Sequence, residues 1–244
     1  MDNLTIAAVS GLRSRMESLD LLAHNLANTT TTGFKAEKEM YRQYVAEEAA
    51  EGRPMEAPVV EGRWTDFSQG VIQPTGKPLD FALAGRGFFV VKTKPDEQVY
   101  TRDGSFKVSK EGRLETRDGY EVEVRTPDQK PIRLNPQLDI EISSTGEIRQ
   151  GNQLMGTLRV IDFATGSPHE KLTGNYFSFT SPQPIDIQNP DIRQGHLEQS
   201  NVPGPEMGVR LINVMRQFEM LQRALQLGAE MNRKSAEEVA KVNG

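Results

Sequence analysis

Val9-Ser10-Gly11-Leu12-Arg13-Ser14-Arg15-Met16-Glu17-Ser18-Leu19-Asp20-Leu21-Leu22-Ala23-His24-Asn25-Leu26 sets Val9, Leu12, Met16, Leu19, Ala23 and Leu26 at alternating steps of three and four. Near the opposite end of the chain, Met207, Leu211, Val214, Phe218, Leu221 and Leu225 keep the same rhythm. Each set is an a/d heptad seam, the pattern of a helix that packs along its length against another helix. The stretch between them matches neither. It consists of short alternating runs broken by Gly, Pro and Asp-Gly. The expected fold class is therefore α+β: coiled-coil-type helices at the N- and C-termini flank a β-rich central domain, with extended connectors between.

Working outward from the first seam, residues 4 to 27 read as a helix. Asp2 or Asn3 can cap it, since a short side-chain oxygen accepts an orphan backbone N–H. Gly11 costs the interior about 1 kcal/mol. At about 1.5 Å per residue the stretch to Leu26 is roughly 33 Å long. Four threonines, Thr29 to Thr32, end it, because β-branched side chains lose rotamer freedom in a helix, and Gly33 can take positive φ. A second helical piece is expected over Ala36 to Glu51, with Met40, Tyr41, Tyr44 and Val45 on one side. Gly52 to Pro78, with Pro54, Pro58, Pro74 and Pro78, reads as an extended connector with little regular structure.

From Leu79 the period changes to two. Phe88-Phe89-Val90-Val91 follows Gly85-Arg86-Gly87. Val99 to Val108 breaks at Asp103-Gly104, a hairpin signal, and Asp118-Gly119 is a second one. Asp139 to Ser143, Leu154 to Phe163 and Asn175 to Thr180 complete an antiparallel β domain. Residues 181 to 205 are Pro-rich again, and the second long helix starts after Pro205, where proline suits a first turn. The expected division is residues 1–30 with 205–244 as a terminal helical assembly domain, 31–78 with 181–204 as connectors, and 79–180 as the β domain.

Bulk properties narrow the function. The chain has 244 residues, 36% of them hydrophobic, and a formal net charge of -5. Mean hydropathy is -0.56 and the isoelectric point is near 5.4. Charges of both signs are interspersed, and no basic block tracks a nucleic-acid backbone. No run of about 18 apolar residues could cross a membrane. The non-basic start Met1-Asp2-Asn3 and the short apolar run Ile6 to Val9 lack the form of a cleaved secretory signal. Cysteine is absent. That suits a cytosolic protein without a catalytic thiol, and equally a protein working outside the reducing cytosol without disulfides.

Chemistry-bearing patterns are missing. His24, His169 and His196 have no metal-ligand spacing. Gly85-Arg86-Gly87 lacks the strand–loop–helix setting of a phosphate loop. There is no Gly-x-Ser-x-Gly elbow, and the carboxylates are scattered. Asn3-Leu4-Thr5 and Asn28-Thr29-Thr30 fit a glycosylation acceptor, a pattern without consequence in the absence of a secretory signal. No catalytic, cofactor or metal site is expected, and no small-molecule substrate. A helix with one apolar stripe is marginal alone, so both ends are expected to order fully when packed against other subunits.

Ser10-Gly11-Leu12 and then His24-Asn25-Leu26-Ala27-Asn28-Thr29-Thr30-Thr31-Thr32-Gly33-Phe34-Lys35-Ala36 resemble the N-terminal signature of the bacterial flagellar rod and hook proteins. Pro78-Leu79-Asp80-Phe81-Ala82-Leu83, Gly87-Phe88-Phe89-Val90-Val91 and Tyr100-Thr101-Arg102-Asp103-Gly104-Ser105-Phe106 are similar to the central motif. Gly195-His196-Leu197-Glu198-Gln199-Ser200-Asn201-Val202 with Phe218-Glu219-Met220 resembles the C-terminal signature. Thr32 stands where that family commonly has Pro, and Pro203-Gly204-Pro205 replaces a more helical lead-in. The length looks most like the proximal-rod member, with a distal-rod or hook-type member as the alternative.

The resemblance implies a non-enzymatic subunit of the periplasmic rod of the flagellar basal body, exported by the flagellar type III apparatus without a cleaved signal. Its partners would be other rod proteins and copies of itself. The terminal helices would line an inner tube, with the seam residues as the assembly interface. Asn25, Asn28, Gly33 and Phe34 would fix the bend where the inner helix meets the outer part, joined by Ser200 and Asn201 of the C-terminal signature. The rival reading is a monomeric β-domain hydrolase or carbohydrate-binding module, with its termini docked on its own body and a concave polar pocket.

Overall fold

The two periodic ends are helices, α1 over Asn3–Ala27 and α2 over Gly204–Val242. The computed structural model describes residues 3–45, 56–93, 97–128, 130–173, 175–180 and 183–242. Helix α1 stops where Thr31 N–H bonds back to Asn28 O, at the start of the threonine run. Helix α2 opens with Met207 N–H donating to Pro203 O, so Pro205 falls in the first turn, where a missing N–H costs nothing. No described helix is long and apolar enough to cross a membrane.

The chain divides into two units: Met1–Ala27, Ala36–Asp66 and Val202–Gly244 in the first, Asn28–Lys35 and Phe67–Asn201 in the second. In the first, α1 packs on α2 and on an antiparallel hairpin of Glu37–Val45 and Glu56–Thr65. That hairpin corrects the helix expected over 36 to 51, insofar as 37–45 is a strand; residues 46–51 lie outside the described ones. The physical reason is that Tyr and Val at these positions also suit a pleated strand. A ladder from Glu37↔Thr65 to Val45↔Glu56, with one irregularity at Met40/Tyr41, then supplies backbone partners that a short uncapped helix would lack.

The second unit carries the β body. Among the described residues its largest sheet has nine strands. Along the main path run His169–Lys171, Tyr176–Phe179, Gln98–Thr101, Phe88–Lys92, Glu121–Val122, Leu114–Thr116 and Phe106–Val108. Val160–Asp162 joins Phe88–Lys92 off this path and pairs in turn with Ile185–Asp186. A second sheet orders Val124–Arg125, Gln153–Leu158, Glu147–Gln150 and Ile140–Ile142. All these pairings are antiparallel, as the turn signals indicate.

The run Phe88-Phe89-Val90-Val91 is apolar throughout because both faces are covered. Phe89 and Val91 enter a core with Phe81, Leu83, Leu114 and Ile148. Phe88 and Val90 enter another with Tyr100, Ile161, Phe163 and Phe177, where Phe163 and Phe179 stack at 3.7 Å.

Two expectations change here. The connectors are not devoid of regular structure. Ile72–Pro74 pairs with His196–Glu198, and Asp191–Gln194 pairs with Phe81–Ala84, each joining segments more than 100 residues apart. Residues 52–55 lie outside the described ones. Asp118-Gly119 turns a hairpin between neighbouring strands, with Gly119 N–H on Thr116 O. Asp103-Gly104 does not, because Gln98–Thr101 and Phe106–Val108 lie far apart in the sheet order. It is a corner instead: Asp103 Oδ1 accepts Ser105 N–H at 3.0 Å, and Gly104 O accepts Phe81 N–H. A side chain at Gly104 would run into the Phe81 carbonyl.

Candidate assembly joint and helix faces

The segment after α1 is held by the β body through backbone and side-chain bonds. Gly33 has φ +68°, a conformation only glycine takes freely. Its N–H donates to Glu198 O at 2.8 Å. A Cβ there would lie 2.6 Å from the Arg102 carbonyl carbon. Phe34 is buried, its N–H bonded to Thr31 O and its carbonyl accepting Asn201 N–H. Lys171 Nζ stands 3.8 Å from the centroid of the Phe34 ring and donates to Lys35 O, so the cation is both paired and seated on a π face. Asn201 Nδ2 reaches Ser68 O and Oγ, and Asn175 Nδ2 reaches Thr32 O. Ser200 is half-buried beside Asn201.

At the centre lies a buried ion triad. Glu198 Oε1 accepts Lys35 Nζ at 2.6 Å and Gly70 N–H at 2.8 Å, and Oε2 accepts Arg102 Nη1 at 3.2 Å. Lys35 and Glu198 side chains have no solvent exposure and Arg102 almost none. Lys35 Nζ also donates to Ser68 O, and Arg102 Nη2 to Gly85 O, while Arg102 Nε has no partner among the described residues. Burial pushes the Arg102 guanidinium below its ordinary value, against the opposite pull of the Glu198 charge. An ionised carboxylate at this depth is tolerable only because two cations and an amide surround it.

Each member of the triad comes from a different quoted motif: Lys35 after Gly33-Phe34, Arg102 before Asp103-Gly104, Glu198 before Gln199-Ser200-Asn201. Sequence reasoning quoted all three stretches and singled out none of these charges. The one signal was a charged residue inside a run of Gly, aromatic and small residues. Nothing in spacing reveals a partner 163 or 96 positions away.

In the first unit Asn25 is fully buried and makes a reciprocal pair with the Glu37 backbone: Nδ2 donates to Glu37 O at 2.7 Å, and Oδ1 accepts Glu37 N–H at 3.0 Å. Asn28, in the second unit, accepts the Thr31 hydroxyl on Oδ1.

The two seams are placed differently. On α2, Met207 and Val214 are buried and Leu211, Phe218, Leu221 and Leu225 half-buried, the least exposed apolar line of that helix. Leu221 Cδ1 lies over Gly11 of α1. Among the described side chains of α1 the buried ones are Ser18, Leu21, Leu22 and Asn25, a line roughly 140° around the helix from the seam at 100° per residue. The α1 seam therefore leaves Val9 and Met16 more than half exposed and Ala23 exposed, with Leu12, Leu19 and Leu26 half-buried. His24 is exposed on α1; His169 rests among Phe67, Phe177 and Phe179; His196 lies on the strand that ends in Glu198. Among the described residues no group of three His, Cys, Asp or Glu could hold a metal.

Comparison with known proteins places these features in a family. A family model described as "Flagellar hook protein FlgE/F/G D1 domain" matches residues 82–150, and one described as "Flagellar basal body rod FlgEFG protein C-terminal" matches residues 193–238. The chain is 31% identical to the flagellar basal-body rod protein FlgF of Mesorhizobium japonicum over 224 residues, 90% of each chain. It is 29% identical to the flagellar basal-body rod protein FlgG of Agrobacterium fabrum over 262 residues, 95% of this chain and 97% of the relative. To the flagellar basal-body rod protein FlgF of Caulobacter vibrioides it is 32% identical over 250 residues, 100% of both chains. Matched over its whole length by a relative 32% identical to it, the chain belongs to the flagellar basal-body rod protein family, as a structural protein of the basal body.

Proposed function

We propose that this chain polymerises through its terminal helices, joining copies of itself and other rod proteins into the periplasmic drive shaft for motility. In this reading residues 1–30 and 205–244 are the assembly element, 79–180 set spacing and stiffness, and 31–78 with 181–204 are the joint. The α2 seam (Met207, Leu211, Val214, Phe218, Leu221, Leu225) holds α1. The α1 seam (Val9, Leu12, Met16, Leu19, Ala23, Leu26) meets a neighbouring subunit as one strand of a coiled coil. Asn25, Asn28, Gly33, Phe34, Ser200 and Asn201 set the bend. The chain reaches its place through the flagellar export apparatus and has no catalytic role. Its length favours the proximal-rod position.

The observation that carries this reading is that Val9, Met16 and Ala23 of the α1 seam are exposed and its leucines only half-buried, while the same helix buries a different line. A shaft needs repeated contacts between unlike surfaces, since a self-complementary patch closes a dimer and stops. Deletion of residues 1–28 tests it in cells. Loss of rod assembly and of motility is expected; rods and swimming that survive the deletion overturn it.

A further inference from the structure

Residues 28–35 and 191–201 join the second unit from opposite ends of the chain. Three consecutive residues of the first segment hold the second. Gly33 N–H donates to Glu198 O at 2.8 Å, Phe34 O accepts Asn201 N–H at 3.4 Å, and Lys35 Nζ donates to Glu198 Oε1 at 2.6 Å.

Their holds on the rest of the unit differ. Residues 191–201 are seated twice by strand pairing, Asp191–Gln194 on Phe81–Ala84 and His196–Glu198 on Ile72–Pro74. Ile192 enters the core of Phe89 and Val91, and Gln194 Nε2 donates to Pro78 O and Ile140 O. Gly195 N–H donates to Asp80 O and Gln199 N–H to Val71 O, while Glu198 accepts Gly70 N–H and Arg102. Every one of these partners lies outside 28–35.

Residues 28–35 contain neither helix nor strand. Their Lys35 brings inside an ammonium with no solvent exposure, whose counter-charge is Glu198. Arg102 bonds the other oxygen of the same carboxylate, so with Glu198 out of place the Lys35 ammonium would face a second cation instead of its partner. A buried charge that loses its partner is costly, and water is the better place for it. The dependence therefore runs one way. Residues 191–201 can seat without 28–35, and 28–35 cannot dock without a seated Glu198.

We propose that residues 28–35 are a strap that closes last, over a C-terminal strip already in place. The folding order then inverts the chain order: the strap is among the first residues made, yet it waits for Asn201. Domains that form during synthesis start from the N-terminal side, and here the buried charge holds that end back. The triad would thus set the sequence of closure, a use separate from stability, to which buried ion pairs add little over apolar residues.

Pulse-labelled amide exchange during refolding of the full-length chain reads the order. Gly195 and Gln199 amides are expected to gain protection at least about threefold sooner than the Gly33 amide. Lys35→Met should leave the Gly195 and Gln199 rates within about twofold of wild type, its cost appearing as faster unfolding, because a contact made after the barrier alters mainly the unfolding rate. Asn175→Ala, which removes the donor to Thr32 O, repeats the test with a milder loss should the Lys35 variant fail to refold. Ile192→Val, in the strip, should delay Gly195 and Gly33 alike. Protection of Gly33 together with or before Gln199 in the wild type overturns the proposal. So does a strap variant that slows Gly195 and Gln199 beyond that twofold limit, or an Ile192→Val chain in which Gly33 keeps its wild-type rate.

Discussion

Removing the Lys35 ammonium tests the buried triad of the second unit. Lys35→Met keeps the length of the side chain and deletes a charge with no solvent exposure, which bonds Glu198 Oε1 at 2.6 Å and Ser68 O at 2.7 Å. Breaking a buried ion pair from one side costs about 3–5 kcal/mol, because the other charge stays buried. Here Glu198 would keep Arg102 at 3.2 Å and Gly70 N–H at 2.8 Å. The cost of Lys35→Met should therefore fall at the low end, about 3 kcal/mol. Glu198→Gln is worse, since it leaves two buried cations facing each other without a carboxylate; about 5 kcal/mol is expected. The double variant should cost at least about 1 kcal/mol less than the sum, as contacting residues do not act independently. Native-state amide exchange reads this locally at Gly33, whose N–H bonds Glu198 O. At about 1.4 kcal/mol per tenfold, Lys35→Met should speed exchange there by more than a hundredfold. A Glu198→Gln protein within 1 kcal/mol of the wild type, or one less affected than Lys35→Met, would refute the triad as described.

Three further outcomes follow from other residues. Gly33→Ala should cost several kcal/mol by thermal denaturation, since its φ of +68° is strained for alanine and the new methyl meets the Asp103 and Arg102 backbone. Gly11→Ala should instead stabilise α1 by about 1 kcal/mol, because a methyl group there makes an ordinary 3.8 Å contact with Leu221 Cδ1 and the helix interior favours alanine. Tyr176 is raised from its ordinary value of 10.0 by burial and by donation to Asp118 at 2.6 Å. A raised acid is protonated in both states below pH 10, so its share of stability is intact there; above pH 10 the unfolded chain ionises first and stability falls. Tyr176→Phe should flatten that alkaline loss in unfolding measurements, and a stability profile still as steep above pH 10 would count against the assignment.

Much of the architecture was readable from period and punctuation. The 3–4 rhythm located both helices, and the Phe88–Val91 run with its turn residues located the β body. What escaped depends on distant pairing. Glu37–Val45 carries Tyr and Val at positions that satisfy a helical face and a strand equally, and only the ladder to Glu56–Thr65 decides between them. Ile72–Pro74 and His196–Glu198 are three residues each, too short to show a period, and are strands only because they meet. Asp103-Gly104 has the chemistry of a hairpin, yet the same Asp side chain serves a corner whose strands part company. The α1 seam was legible as a stripe, but the line that α1 buries, Ser18 to Asn25, includes a serine and an asparagine that no hydrophobic pattern would select. The triad was invisible for a related reason: a charge reads as surface until its partner is found.

Imaging of isolated basal bodies containing this chain, at a resolution that places side chains, would bear most directly on the role given to the helices. Val9, Met16 and Ala23 should be covered by another subunit along their whole line, with α1 still held against Leu221 of its own α2. If those three side chains face open solvent in the assembled rod, the helices are not what joins the subunits.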